Sequence, residues 1–250
     1  LEIPDLTSYD LLDAAGKLEL EKLAGLYVQN GYPTNTTRLQ EIYNGRLQKV
    51  LSGVNTDWLS KPLHTGVGQR YNLRMEGGSD QFRWSAAADY NKTSGAMKGS
   101  SRQVFNGTIT LMYTIKNLIF KNQTGVGITN SHESNYGSFS SYADQQPYND
   151  PYDENGSLVR YFDDFYGEPA SKRQNPLYDA TLNWFDKSKY QDISNNFSIE
   201  WRIYKDLRLR GQLGVTSRTN SSDYFLPAEH SFFNTNEYKS DSGYFRRGFY

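Results

Sequence analysis

The sequence predicts an all-β chain: a run of antiparallel strands from the wall of a transmembrane β-barrel, with a short helical outer loop near the N-terminus. Three observations carry this. Six stretches alternate apolar and polar residues with period two. Very short and long connections follow one another strictly along the chain, as in outer-membrane barrels. Charged residues stand mid-strand on the side opposite the apolar set, where a dry core would demand a partner for each and a wet lumen would not.

Residues 1–5 read as the end of an earlier strand, because "LEIPD" enters mid-element and suggests a piece of a longer chain. Residues 6–63 form the helical outer loop. Leu11, Leu12, Ala15, Leu18, Leu23 and Leu26 recur near helical spacing, with Thr7 or Ser8 as N-cap. Thr37 and Gln40 make a capping box ahead of the stripe Leu39, Ile42, Tyr43, Leu47, Val50 and Leu51. Gly31-Tyr32-Pro33 separates the two helices.

After Trp58 the period changes to two, and six strands follow at 64–77, 81–92, 102–115, 118–131, 192–204 and 207–219. In the first hairpin Tyr71, Leu73 and Met75 oppose Asn72, Arg74 and Glu76, and Phe82, Trp84, Ala86, Ala88 and Tyr90 oppose Arg83, Ser85 and Asp89. In the third strand Phe105, Ile109, Leu111, Tyr113 and Ile115 share one face. In the last two, Ile193, Phe197, Ile199, Trp201 and Ile203 match Leu207, Leu209, Leu213 and Val215, while Glu200, Arg202, Arg208 and Arg210 lie opposite. Gly77–Asp80, Lys116–Asn117 and Lys205–Asp206 are the tight turns. The long connections are 91–101, the outer loop at 132–191, and 220–250 as the start of the next outer loop. Runs of this length suffice for tilted spanning strands of about 9–11 residues. Tyr71, Trp84, Tyr90, Tyr113, Trp201 and Tyr204 are placed for aromatic girdles.

Composition narrows the function classes. A net charge of −1 gives no argument for a nucleic-acid partner. With no cysteine there are no disulfides or thiolate metal sites. Twenty tyrosines in a chain of strongly polar mean hydropathy fit aromatic loops, an aromatic girdle or a sugar-binding surface. "NDPYDENGS" lacks the terminal Glu of a calcium loop and reads as a turn. The Gly-x-Gly pairs in "TGVGQRY" and "TGVGITN" do not open helices, so no dinucleotide cofactor is expected. His64, His132 and His230 are far apart in sequence, and Asp163-Asp164 is a charged loop pair rather than a recognisable catalytic dyad. No metal, cofactor or catalytic residue is expected.

The ordered set "PDLTSYDLLDAAGKLELEKLAGLY", "NTDW", "NLRMEGGSDQFRWSAAADYNKTSGAMKGS", "PYDENGSLVRYF", "NPLYDATLN", "NNFSIEWRIYKDLRLRGQLGV" and "DYFLPAEH" resembles the SusC/RagA family of TonB-dependent outer-membrane transporters. The resemblance runs across essentially the whole chain. It implies a 22-stranded barrel closed by an N-terminal plug, a SusD-like surface lipoprotein as lid, energy from the TonB complex through an absent N-terminal part, and uptake of a glycan or peptide at the bacterial outer membrane.

The long outer loop is the best functional candidate. Its rings, interleaved with amides and carboxylates, suit a sugar or peptide, and Tyr136, Tyr142, Tyr148, Tyr152, Tyr161 and Trp184 are the candidate ligand-binding residues. The competing role for these rings is packing of the loop on itself and on the lid. A soluble carbohydrate-binding β-sandwich, and an outer-membrane barrel enzyme or adhesin, are the alternative readings.

Overall fold

A computed structural model describes residues 1–28, 36–162, 173–234 and 243–249. Gly31-Tyr32-Pro33, Asp163-Asp164, and the rings Phe165 and Tyr166 lie outside the described residues. Two helices, α1 (Ala14–Leu23) and α2 (Thr36–Leu51), precede the strands β1 (Gly68–Gly78), β2 (Phe82–Ser94), β3 (Ser101–Ile115) and β4 (Leu118–His132). The long loop carries a short helix α3 (Phe139–Ala143), a two-stranded ribbon β5 (Tyr161–Phe162) and β6 (Arg173–Gln174), and α4 (Pro176–Ala180). Then follow β7 (Phe185–Tyr204), β8 (Leu207–Leu226) and β9 (Tyr244–Phe249). The long strands form one antiparallel sheet in the order β1-β2-β3-β4-β7-β8-β9, which does not close on itself.

The tight turns fall where alternation breaks. Lys116 and Lys205 adopt φ of 51° and 39°, so each two-residue turn holds a lysine in the left-handed region. Gly78 has a φ of 133°, and a Cβ there would run into the Phe82 carbonyl. The connection between β2 and β3 is shorter than its sequence suggests, only 95–100, because "NKTS" continues the strand against Ser101–Val104. It is held at the sheet's end by the Lys98 N–H donating to the Pro62 carbonyl at 2.8 Å.

The faces follow the alternation across the whole sheet. One row runs Met75–Ala86–Ile109–Thr124–Asn195–Val215, and the next Trp84–Leu111–Asn122–Phe197–Leu213. This apolar face is uncovered: Ile109 is 53 % exposed, Val215 61 % and Leu213 65 %. Among its few polar members, Asn122 and Asn195 exchange side-chain hydrogen bonds at 3.1 and 3.2 Å, and Thr124 joins both. Toward the long connections the face ends in a polar row, Gln69–Lys92–Gln103–Asn130–Lys189–Ser221. From Phe105 to Ile115 the apolar stretch of β3 is roughly 33 Å of strand. At a tilt of ~40°, typical of outer-membrane barrel strands, that length corresponds to roughly 25 Å of height, the height of such a barrel's apolar band. The opposite face is charged. Glu200 accepts from Arg210 at 2.7 Å and Arg202 at 3.5 Å, with Arg208 at 3.9 Å, and Asp89 binds Arg70 at 2.9 Å.

Several boundaries shift. β7 begins at Phe185 rather than near 192, and β8 runs to Leu226 rather than 219, because the two keep pairing beyond the apolar band. β9 then lies against the end of β8, within the stretch read as loop. α1 starts at Ala14 and not after Thr7 or Ser8, since the Asp5 carboxylate captures Thr7 in a local turn and Asp13 is the N-cap. Its buried stripe is Ala14, Leu18 and Glu21; Leu11, Leu12, Leu23 and Leu26 are exposed. α2 begins at Thr36, which puts Thr37 inside the first turn, and it buries only Leu39 fully.

Candidate functional site

The loops at the long-connection end fold into their own packed body. At its centre is a carboxylate. Ala14, Leu18 and Glu21 lie at i, i+4 and i+7 on the inner stripe of α1, so Glu21 is carried into the interior, 4 % exposed. It accepts from the Tyr27 hydroxyl at 2.7 Å, the Tyr148 hydroxyl at 2.9 Å and the Arg46 guanidinium at 3.3 Å. Arg46 lies over the Tyr148 ring at 4.8 Å from its centroid. Burial pushes both phenols far above the usual tyrosine range, so they stay protonated and keep donating to Glu21. One carboxylate thus joins α1, α2 and the long loop.

A second cluster packs beside it. Trp58 meets Phe162 edge-on at 5.6 Å and Tyr142 at 6.5 Å, and its indole N–H donates to the Gln146 carbonyl at 2.9 Å. Asn175, fully buried, caps α4 through the Leu177 N–H at 3.1 Å and ties the Pro151 and Val159 carbonyls at 3.1 and 2.7 Å. Asp179 accepts from the Ser231 hydroxyl and from its N–H, the latter at 3.0 Å. His230 lies 4.0 Å from Asp179 and edge-on to Trp184 at 5.8 Å. Burial holds His230 below its ordinary value, against the pull of Asp179.

The six rings singled out in the sequence have different surroundings. Tyr142 and Tyr148 are buried in the two clusters. Tyr136 packs against the Trp58 cluster beneath Lys98, and with Trp184, Tyr224 and His230 it lines a cavity of about 490 Å³. The Trp184 indole N–H and the half-buried Tyr161 hydroxyl have no hydrogen-bond partner among the described residues. Tyr152 is half exposed on the turn closed by Asp153, whose carboxylate accepts from the Asn155 and Ser157 N–H groups at 2.9 and 2.8 Å. Among the described residues no group of three His, Asp or Glu is placed to hold a metal ion.

A larger cleft, about 740 Å³, opens between the segment entering α1, residues 55–59, and the end of α3 with the turn after it. Leu11, Leu12 and Leu20 line it, as do Asp10, Asp13, Asp57 and Asp144. Sequence reasoning missed both this cleft and the Glu21 centre. Glu21 could have been found from its helical phase with Leu18; the cleft joins segments distant in sequence and leaves no local signal.

No family model and no curated protein matches this sequence. Among solved structures, a chain described as "Structure of the RagAB peptide transporter" superposes with a TM-score of 0.69 at 16 % identity, over 92 % of this chain and 28 % of that one. A second, "Structure of the RagAB peptide importer in the 'closed-closed' state", gives 0.67 at 17 % identity, over 98 % of this chain and 29 % of that one. This chain therefore spans under a third of the length of either neighbour. At this identity the likeness establishes a shared fold and nothing finer: the antiparallel sheet and the loops at its long-connection end superpose on part of each of those two chains.

Proposed function

We propose that this chain is part of the wall and outer loops of an outer-membrane nutrient importer of the TonB-dependent SusC/RagA kind. The observation that carries the reading is the uncovered apolar band. It is roughly 25 Å tall, ends in a polar row, and backs onto a charged wall. In water such a face would be an aggregation surface; in lipid it is the correct exterior. Lipid does not tolerate unpaired sheet edges, so further strands flank β1 and β9 and complete a closed barrel.

In this reading the apolar face meets outer-membrane lipid, the arginine-rich face lines the lumen, and the long connections form the outer vestibule. A glycan- or peptide-sized substrate is captured there under a SusD-like lipoprotein lid, and the TonB complex drives its release inward. Capture and gated passage, rather than catalysis, is the work of the site. The experiment is to fractionate cells and find the native polypeptide carrying this sequence. Recovery from the outer membrane, as a heat-modifiable species several times heavier than 28.7 kDa, supports the importer. A soluble chain of 28.7 kDa overturns it and favours a binding sandwich.

A further inference from the structure

We infer that the 740 Å³ cleft binds a peptide segment carrying aliphatic side chains and positive charge. This rests on the import reading and narrows its substrate from glycan or peptide to cationic peptide. The volume is that of a ligand site. Its wall offers Leu11, Leu12 and Leu20, exposed by 58 %, 50 % and 50 %; Leu18, Leu39 and Leu59 of the same loop body are buried, while Leu23, Leu26 and Leu51 are open but do not line the cleft. Leucines left open around a concavity suit aliphatic side chains.

Sugar sites commonly stack a pyranose on an exposed aromatic face. The two aromatic residues lining the cleft, Trp58 and Tyr142, are 4 % and 0 % exposed, both committed to the cluster behind it. Neither presents a face to a pyranose.

Charge selects the sign. Asp10, Asp13, Asp57 and Asp144 line the cleft against Lys17 and Arg173. Lys17 is turned toward Glu21 at 3.8 Å, and Arg173 donates to the Asp144 backbone carbonyl. Asp13 is occupied by the Gly16 N–H at 2.7 Å, and Asp57 accepts weakly from the Ser60 N–H at 3.3 Å. The carboxylates of Asp10 and Asp144, both on exposed residues, take no hydrogen bond within the described residues. An ammonium or guanidinium beside a leucine-type side chain meets both features at once.

The test uses the native full-length protein, purified from the outer membrane in detergent. Its probes are a fluorescein-labelled Lys-Leu-Leu-Lys peptide, the Glu-Leu-Leu-Glu counterpart, and a neutral oligosaccharide as competitor. The basic peptide is expected to bind more tightly than the acidic one, and the oligosaccharide not to displace it. Asp10→Asn combined with Asp144→Asn is expected to weaken the basic peptide roughly fivefold, the scale of exposed ion pairs. High salt should narrow the difference between the two peptides. Leu12→Ser should weaken both peptides, because it removes apolar contact and not charge. Equal binding of the two peptides, displacement by the oligosaccharide, or unchanged affinity in the double variant overturns the cleft proposal. If that happens in a protein that still sits in the outer membrane and imports substrate, the cleft proposal fails alone. A protein absent from the outer membrane ends the import reading as well.

Discussion

The sheet and the loop body above it bury opposite things. The loop body is built like a small soluble domain: Trp58, Tyr142, Tyr148 and Phe162 are inside, and a buried carboxylate is fully engaged. The long strands bury almost no large apolar side chain; the exception is Leu226, at the last residue of β8. Their leucines, isoleucines and phenylalanines face outward. In the importer reading one chain is folded for two solvents, and the boundary between them is the polar row from Gln69 to Ser221. A given substitution should have opposite effects on the two sides of that row.

The sharpest break of this contrast is a charge placed in the band. Leu111→Arg should prevent assembly, because a cation at the middle of a barrel's lipid face costs roughly 2–4 kcal/mol. Thr110→Arg, one residue away on the polar face, should assemble. The heat-induced gel shift of the outer-membrane species reads both, and equal behaviour would mean the faces are reversed. Next in size, Tyr148→Phe removes a donor to the buried Glu21 and should cost the loop body roughly 1.5–3 kcal/mol. Trypsin should then cut the loops on intact cells faster, while the gel shift of the barrel stays as it was.

Within the band, Asn195→Leu exchanges a polar group for an apolar one, yet in the importer reading it should destabilise slightly, by ~0.6 kcal/mol, because Asn122 loses its amide partner and keeps only the Thr124 hydroxyl. The urea midpoint of the assembled protein measures this, and a stabilised variant would argue that the face meets water. The smallest effect is expected from pH. His230 is held below its ordinary value by burial, with Asp179 opposing and Arg160 reinforcing. Above about pH 6.5 the ring is neutral both folded and unfolded and adds no pH dependence. As the pH falls through that value the opened loop takes up the proton first, so the loop body loses stability. Its Nδ1 also accepts from the Phe232 N–H at 3.2 Å, a bond the protonated ring gives up. Protease sensitivity of the loops should rise between about pH 7 and about pH 5, and should stay flat in His230→Asn.

The strands were readable where one face is apolar and the other polar. From Tyr71 to Ile128 and from Ile193 to Val215 each residue's neighbours announce its side, and tight turns fix the ends. Above the polar row both faces carry polar residues, so Lys187, Ser188 and Lys189 on β7 and Ser221, Ser222 and Asp223 on β8 show no alternation, although they pair as regularly as the rest. That is why the sequence stopped both strands short. In the helical loop the period was visible but its phase was not. Leu11 and Leu12 looked like core, but they lie ahead of the Asp13 cap and line the cleft. The cleft itself needs Asp10, Asn55 and Gln146 brought together, which only the folded loops do.

The hydrogen-bonded group on the apolar face bears on how the sheet finds its pairing. Neighbouring strands joined by Lys116–Asn117 or Lys205–Asp206 have little freedom to slide. β4 and β7 are separated by residues 133–184, a connection long enough to let one strand move along the other. A slip of one residue is forbidden by the faces, but a slip of two keeps apolar against apolar and leaves that pattern satisfied. The amides distinguish the two states. Asn195 stands across from Thr124 and diagonal to Asn122 in a single alignment. After a two-residue slip toward Val126, Asn195 would face an aliphatic neighbour, and Asn122 would lose its amide partner on an apolar face. The opposite slip would set Asn195 directly across from Asn122 but leave Thr124 against Ile193. Three polar side chains thus satisfy one another together only in the observed alignment, at a joint where neither a tight turn nor hydrophobicity fixes it.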